Sequence, residues 1–251
     1  MSEEVVNAIV LGGIDLGESD RLVHLLTRER GRIAARARGA RKSRKRYGGR
    51  LERYALVRAR LHVRKGRSSL GEVDLLRPFL GLREELIRTA MADHLLELVR
   101  TVAREEEPIP DLFGLLLQAL AALDGGATPS EAWVRAASMR VMELSGVGLS
   151  VQRCCGCGRP PGPGAAGFSV AAGGVLCGDH VGDDPGARQL ALRDLTTLQR
   201  LATLDLAETA RTGLTDADVR RVRGLLERFV EYHLERRART GAFLDALLDG
   251  D

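Results

Sequence analysis

Four residues past the middle of the chain have types and a spacing suited to holding a metal ion. Cys154-Cys155-Gly156-Cys157 is followed, after 19 intervening residues, by Cys177-Gly178-Asp179-His180, a C-x2-C-x19-C-x2-H pattern. Two residues between ligands let both side chains of a tight knuckle converge on one ion, and two knuckles supply four tetrahedral ligands. Three thiolates and an imidazole suit one structural zinc, Zn(2+), held by Cys154, Cys157, Cys177 and His180, with Gly156, Gly158, Gly174 and Gly178 permitting sharp turns. Cys155 is the surplus thiol and is expected to point away. A catalytic zinc would leave one position open for water, whereas four protein ligands close this one, so the ion's work is to fold an insert with almost no core of its own. A redox C-x-x-C pair fits less well, because no βαβ unit surrounds it.

The second chemical feature is charge. The chain of 251 residues has a formal net charge of +4, but this hides an asymmetry. Between Arg30 and Arg67 stand 16 basic residues and one acid, Glu52; the remainder carries 22 bases and 33 acids. A block of one sign repels itself unless it is solvated or faces a polyanion, and this density favours a nucleic-acid surface over a merely soluble face.

The elements around that block read as short strands. Val5–Leu11 is an apolar run, Gly12-Gly13 and Gly17 punctuate the stretch after it, and Arg21–Thr27 reads as a strand before the turn Arg28-Glu29-Arg30-Gly31. In Gly31–Arg38, Ile33, Ala35 and Ala37 share one face while Arg32, Arg36 and Arg38 share the other. In Ala55–Arg64, Ala55, Val57, Ala59, Leu61 and Val63 oppose Arg58, Arg60, His62 and Arg64. The pattern suits a small barrel with an inner face of small apolar residues and an arginine-rich outer face. Arg32, Arg36, Arg38, Arg58, Arg60 and Arg64 would track phosphates, and the polar loop between the strands, with Arg41, Lys42, Arg44, Lys45, Arg46 and Arg50, would close over the bound strand. Tyr47 and Tyr54 are the barrel's aromatic candidates for base stacking, so binding is expected to be mostly electrostatic, sequence-tolerant and steeply salt-dependent.

From Leu82 the period becomes helical. Leu82, Leu86, Ile87, Met91, Leu95, Leu98, Val99 and Val102 form one stripe, Pro110-Asp111 opens an apolar helix to Leu123, and Thr128-Pro129-Ser130-Glu131 reads as an N-cap with a capping-box glutamate. Glu105-Glu106-Glu107 reads as a solvated helix end. The glycine- and proline-rich stretch from Val151 to Gly186 interrupts the helices, which resume near Asp194 and finish in one long helix capped by Thr215, with Arg236, Arg237 and Arg239 near its end. The fold class is therefore α+β and multidomain. An N-terminal barrel spans 1–80, a mainly helical domain spans 81–150 and 187–251, and a zinc-binding insert spans 151–186.

Several classes find no support in the pattern. No dinucleotide or P-loop glycine motif is present, His94 and His233 sit on apolar helix faces, and Asp183-Asp184 lacks a third carboxylate for a nuclease site. Nothing requires an enzyme. No apolar run reaches the ~18 residues of a membrane span. The acidic start Met1-Ser2-Glu3-Glu4 shows no export leader, so a cytosolic protein is expected. An RNA- or ribosome-binding module fits the charge block as well as a DNA-binding one does, since nothing in it senses a 2′-hydroxyl.

Taken in order, the residues resemble the RecO family of bacterial recombination mediators. The resemblance runs from Gly17-Glu18-Ser19-Asp20 through Leu25-Leu26-Thr27, Gly31 and Ala37-Arg38-Gly39-Ala40-Arg41-Lys42 to Leu70 and Glu72. It continues at the cysteine knuckles with Phe168-Ser169 between them, and ends at Tyr232-His233-Leu234 and Phe243-Leu244. It implies that the barrel is an OB-fold. It further implies binding of single- and double-stranded DNA, annealing of complementary strands, and help in loading RecA onto protein-coated single strands at the nucleoid. The implied partners are RecR and the C-terminal tail of the single-strand DNA-binding protein. Family members often have cysteine as the last ligand where this chain has His180.

Overall fold

The structure is a computed structural model that describes residues 2–43, 47–125, 129–162, 166–207, 213–235 and 238–250. Its first five strands are β1 (Ser2–Leu16), β2 (Asp20–Thr27), β3 (Gly31–Ala37), β4 (Leu56–Arg64) and β5 (Arg67–Arg77). They close into a barrel in the order β1-β2-β3-β5-β4. All pairs are antiparallel except β3 with β5, whose parallel pairing consists of Ala35 opposite Ser68 and Arg36 opposite Ser69.

One long strand serves two neighbours because it bends. β1 pairs with β4 over Ser2–Ile9 and with β2 over Ala8–Leu16, with an irregularity between Val10 and Gly12. Gly12 has φ +131°, a conformation that side chains oppose. Gly12-Gly13, which punctuate the sequence there, thus mark a bulge inside a continuing strand rather than its end. Val6, Ala8, Val10, Val23, Leu25, Ile33, Ala35, Ala37, Val57, Ala59, Leu61, Leu70 and Val73 fill the interior, as the alternation demands. The β4–β5 hairpin turns on Lys65-Gly66, both at positive φ as a two-residue type I′ turn requires.

The helices are α1 (Leu86–Val102), α2 (Pro110–Asp124), α3 (Glu131–Leu144), α4 (Leu192–Ala202), α5 (Asp216–Leu234) and α6 (Arg239–Asp249). The chain divides into two compact units, Met1–Ala92 with Val99–Gly126, and Asp93–Leu98 with Ala127–Asp251. The expected helix start at Leu82 is instead a 3-10 turn, Leu80–Arg83, and Leu86 is exposed. The three glutamates after α1 are not simply solvated. Glu106 donates its N–H to the Arg32 carbonyl at 2.9 Å and its carboxylate holds Arg30, while Gly31 lies so close to the Glu107 carbonyl that any side chain there would collide with it.

In the second unit the N-cap of α3 is Ser130, whose hydroxyl accepts from the Trp133 N–H; Thr128 lies outside the described residues. Glu131 does different work from the expected capping box. It is buried, and its carboxylate accepts from Arg223 (Nε 2.6 Å, Nη2 2.8 Å) and from Arg135 (Nε 3.2 Å). Asp245 holds Arg135 and Asp249 holds Arg223, so α3, α5 and α6 share one ionic cluster. Burial, with a hydrogen bond to Asp245, pushes the neighbouring Glu227 up to about 7. Thr215 caps α5 reciprocally with Asp218, as expected, but the helix ends at Leu234 with Glu235 left-handed, and a further helix comes after it. That helix, α6, begins where Glu97 accepts the N–H groups of Arg239 and Thr240, so Arg239 opens a helix rather than closing one; Arg236 and Arg237 lie outside the described residues.

Removing one member of a buried ion cluster strands the others without compensation. Glu131→Ala should therefore lower the stability of the second unit by about 3–5 kcal/mol, measured as an earlier urea transition of this unit's Trp133 fluorescence.

Candidate nucleic-acid interface and metal centre

The barrel register places the arginine-bearing positions on adjacent strands. With Ala35, Ala37, Ala59, Leu61 and Leu70 turned inward, the outer row across β3, β5 and β4 runs Arg36, Ser69, His62, with Arg64 opposite Arg67 next to it. Along β4, Arg58, Arg60, His62 and Arg64 span ~20 Å at the usual strand rise.

These cations are not equivalent. Arg38, Lys42, Arg58 and Arg64 are exposed and, among the described residues, pair with no carboxylate. Arg60 is held by Glu3 and lies 3.6 Å from Glu72. Arg36 donates from Nε to Asp20 at 2.7 Å, and Arg41 lies 3.3 Å from Asp15 while donating to the Gly17 carbonyl. Arg32 is half-buried, with Nε donating to the Ala103 carbonyl at 2.8 Å, so it braces the segment after α1 instead of joining the open row. Arg50 is half-buried, and its N–H donates to the Tyr47 carbonyl at 2.8 Å. Arg44, Lys45 and Arg46 lie outside the described residues.

Both tyrosines offered for stacking are inside. Tyr47 and Tyr54 are 2% and 4% exposed, which removes them as base platforms and leaves the barrel face electrostatic. Sequence reading missed Asp20 as a structural group, although it opens a strand just after a polar turn. Its carboxylate accepts from the Gly39 N–H at 2.8 Å, from Arg36, and from the Ser19 hydroxyl at 3.0 Å. The Gly39 N–H and the Arg36 guanidinium hold this acid down at about 2.

The knuckle residues converge. Cys154, Cys157, Cys177 and His180 bring their ligand atoms within 4.8 Å of one another. The Cys157 and Cys177 sulfurs are 3.9 Å apart, close to the ~3.8 Å edge of a tetrahedron with 2.3 Å Zn–S bonds. His180 turns Nδ1 toward Cys177 Sγ at 3.1 Å. Burial pushes the Cys154 thiol up, but N–H groups of Cys177, Cys157 and Gly156 outweigh it and bring it down to about 6, toward the thiolate a metal needs. Gly156 is needed for close approach, since a side chain there would strike the His180 ring. The site is framed by β6 (Ala166–Ser169), β7 (Gly174–Cys177) and β8 (Arg188–Leu190), a three-stranded sheet ordered β7-β6-β8. Cys155 is exposed and outside the ligand group, as expected. This donor set fits a metal ion.

The other candidates have structural employment. Asp184 accepts from Ser169 and from the Gly186 N–H, which builds a turn. His94 is buried beside Ser138, whose hydroxyl donates to the Val134 carbonyl; burial brings His94 down to about 4. His233 bonds the Val170 carbonyl at 3.1 Å and ties the knuckle region to α5.

A closed five-stranded barrel in this order, followed by helices and a Cys3His knuckle pair, defines an OB-fold protein with a module that could hold a metal ion. Residues 1–79 match the family model "Recombination protein O N terminal" and residues 83–241 match "Recombination protein O C terminal". The chain is 39% identical over 249 residues to the DNA repair protein RecO of Anaeromyxobacter dehalogenans (strain 2CP-C), covering 98% of each. It is 37% identical over 245 residues to DNA repair protein RecO of Myxococcus xanthus, covering 95% of each. To that of Pelotomaculum thermopropionicum it is 36% identical over 245 residues, covering 95% of this chain and 92% of the relative. The chain belongs to the RecO family of DNA repair proteins. No described helix is long and apolar enough to cross a membrane.

The Asp20 carboxyl should titrate near 2 rather than at its ordinary 3.8. Because its acid constant is depressed in the folded state, its stabilising contribution is complete above the unfolded value and disappears as pH falls from 3.8 toward about 2. Carbon-detected NMR titration should give that midpoint, and the stability gap between the natural chain and Asp20→Asn should close over the same window.

Proposed function

We propose that this chain is a non-enzymatic recombination mediator of the cytoplasm, working at the nucleoid. It binds single- and double-stranded DNA without sequence preference, anneals complementary strands, and works with RecR to load RecA onto single strands coated by the single-strand DNA-binding protein, whose C-terminal tail it contacts. The observation that carries the DNA part is the outer face of β4, where Arg58 and Arg64 stand exposed and in no ion pair among the described residues, with Arg38 likewise exposed in the turn just after β3. Such a face screens the repulsion between two polyanions without reading either, which is what annealing requires. Arginine forks allow bidentate phosphate contacts. Arg36, Arg41 and Arg60 add to the field while partly neutralised, and Lys42, Arg44, Lys45, Arg46 and Arg50 supply the loop.

The deciding experiment is annealing of complementary oligonucleotides pre-coated with the cognate single-strand binding protein, with the natural chain and with Arg58→Glu/Arg64→Glu. The natural chain should accelerate annealing. The double variant should bind bare single strands at least about tenfold more weakly, with a salt slope lower by ~0.7 for each phosphate it no longer neutralises. Unchanged affinity at moderate salt, or a strong preference for RNA of matched length, would remove the DNA-mediator reading.

The knuckle site is a structural zinc site with Cys154, Cys157, Cys177 and His180 as its ligands. Elemental analysis should give one zinc per chain, and Cys154→Ser should lower that content and destabilise residues 151–186. A metal-free protein that is stably folded would contradict this.

A further inference from the structure

The open row on β4 is interrupted at its middle. Arg58 and Arg64 stand in no ion pair among the described residues, but between them Arg60 and His62 meet a carboxylate from the neighbouring strand. Glu3 stands opposite His62 in the β1–β4 register. Val6 and Ala8 point into the barrel, so the alternation sends Glu3 to the outer face. Its Oε1 accepts from Arg60 Nη1, and its Oε2 lies 3.6 Å from His62 Nδ1. One carboxylate thus bridges two members of the row. From β5, Glu72 approaches the same guanidinium, with 3.6 Å between its Oε2 and Arg60 Nη2.

The imidazole is seated for that arrangement. It lies against β5 at Gly71, where a Cβ would stand 2.7 Å from Nε2. Its other nitrogen, Nδ1, is on the Glu3 side; it is buried and makes no hydrogen bond among the described residues, since 3.6 Å is too long for one. An anion oxygen brought within hydrogen-bond distance would gain that donor as well as the guanidinium fork. A phosphodiester suits the place. It carries the same single negative charge over two terminal oxygens, and arginine binds it with the same paired N–H groups. Glu3 costs little to displace, because its side chain is 44% exposed and exposed ion pairs contribute little to stability.

We infer that Arg60 and His62 form a phosphate clamp, which Glu3 occupies in the free protein and vacates when a nucleic-acid strand binds. This rests on the proposed DNA-binding role of the β4 face. The ligand is one backbone phosphodiester, and the Glu3 carboxylate is its competitor. Binding exchanges an internal ion pair for an external one, which lowers affinity without changing which sequences bind, since a phosphate contact carries no sequence information.

The test is binding of an oligothymidine to the full-length protein at moderate salt. Glu3→Gln should tighten binding by about 2- to 5-fold, the scale of one exposed ion pair. Asp74→Asn removes the same charge from the same face, opposite Arg58 and outside any ion pair among the described residues, so it measures the general electrostatic gain and should do less. Arg60→Gln should weaken binding and lower the salt slope by about 0.7. Adding Glu3→Gln to it should then give no more than the Asp74→Asn gain. His62→Asn should weaken binding by the Glu3→Gln chain. If Arg58→Glu/Arg64→Glu binds as tightly as the natural chain, the face does not bind nucleic acid and the clamp falls with it. Suppose instead that this pair weakens binding, but Glu3→Gln gains no more than Asp74→Asn, gains as much without Arg60, or is indifferent to His62→Asn. The reading of the face then stands and the clamp is overturned.

Discussion

Closure of the five-stranded barrel governs the rest of the first unit. Once β1 pairs with both β2 and β4 and β5 joins β3, each strand must send alternate residues to a narrow interior and the others to the outside. The interior takes Ala35, Ala37 and Ala59 with branched aliphatics, so the arginines between them have one place to go. Sixteen cations within 38 residues would repel one another on so small a surface if nothing offset them. The structure offsets them unevenly. Carboxylates from β1, from the start of β2 and from β5 sit on Arg41, Arg36 and Arg60, whereas Arg58 and Arg64 are left open. Arg60 is held by two carboxylates, Arg58 faces Asp74 across the strand pair without an ion pair among the described residues, and Arg64 faces Arg67.

The candidate metal-binding module solves a different problem. Its own apolar cluster is small: Cys154, Leu176 and Cys177, with Cys157, Val181 and Ala187 against it. Three of these six residues belong to the candidate donor set, which is thus itself much of the insert's core. The knuckles are held to the helices by few polar contacts, including Gln199 Nε2 to the Val151 carbonyl at 3.0 Å and His233 to the Val170 carbonyl. A bound metal would supply the cohesion that so short and glycine-rich a stretch draws only in small part from hydrophobic burial.

The alternation in 31–38 and 55–64 makes the barrel walls legible, because a period of two has one physical cause. The ligand spacing is legible for the same kind of reason: two residues between donors is a local geometric demand. What the chain conceals lies in contacts between residues distant in sequence. Glu131 looks like a capping residue from its neighbours, yet it is claimed by Arg223, 92 positions away. Arg32 and Arg36 look alike on one strand, but Ala103 takes one and Asp20 the other. Tyr47 sits in a polar stretch and reads as exposed, yet its ring lies in the barrel core and its phenol donates to the Leu70 carbonyl, 23 positions on. The final helix reads as continuous because a left-handed Glu235 carries no glycine to announce the break.

The parallel β3–β5 pairing is the shortest junction around the barrel, two residue pairs against eight between β1 and β4. It is the seam with the fewest ladder bonds, and in thermal fluctuation such seams part first. Arg36 and Arg38 stand on one lip of it and Arg67 on the other. Opening of this seam would alter the gap between two cationic rims, and with it, under the proposed DNA-binding role, the separation of the phosphates they could reach.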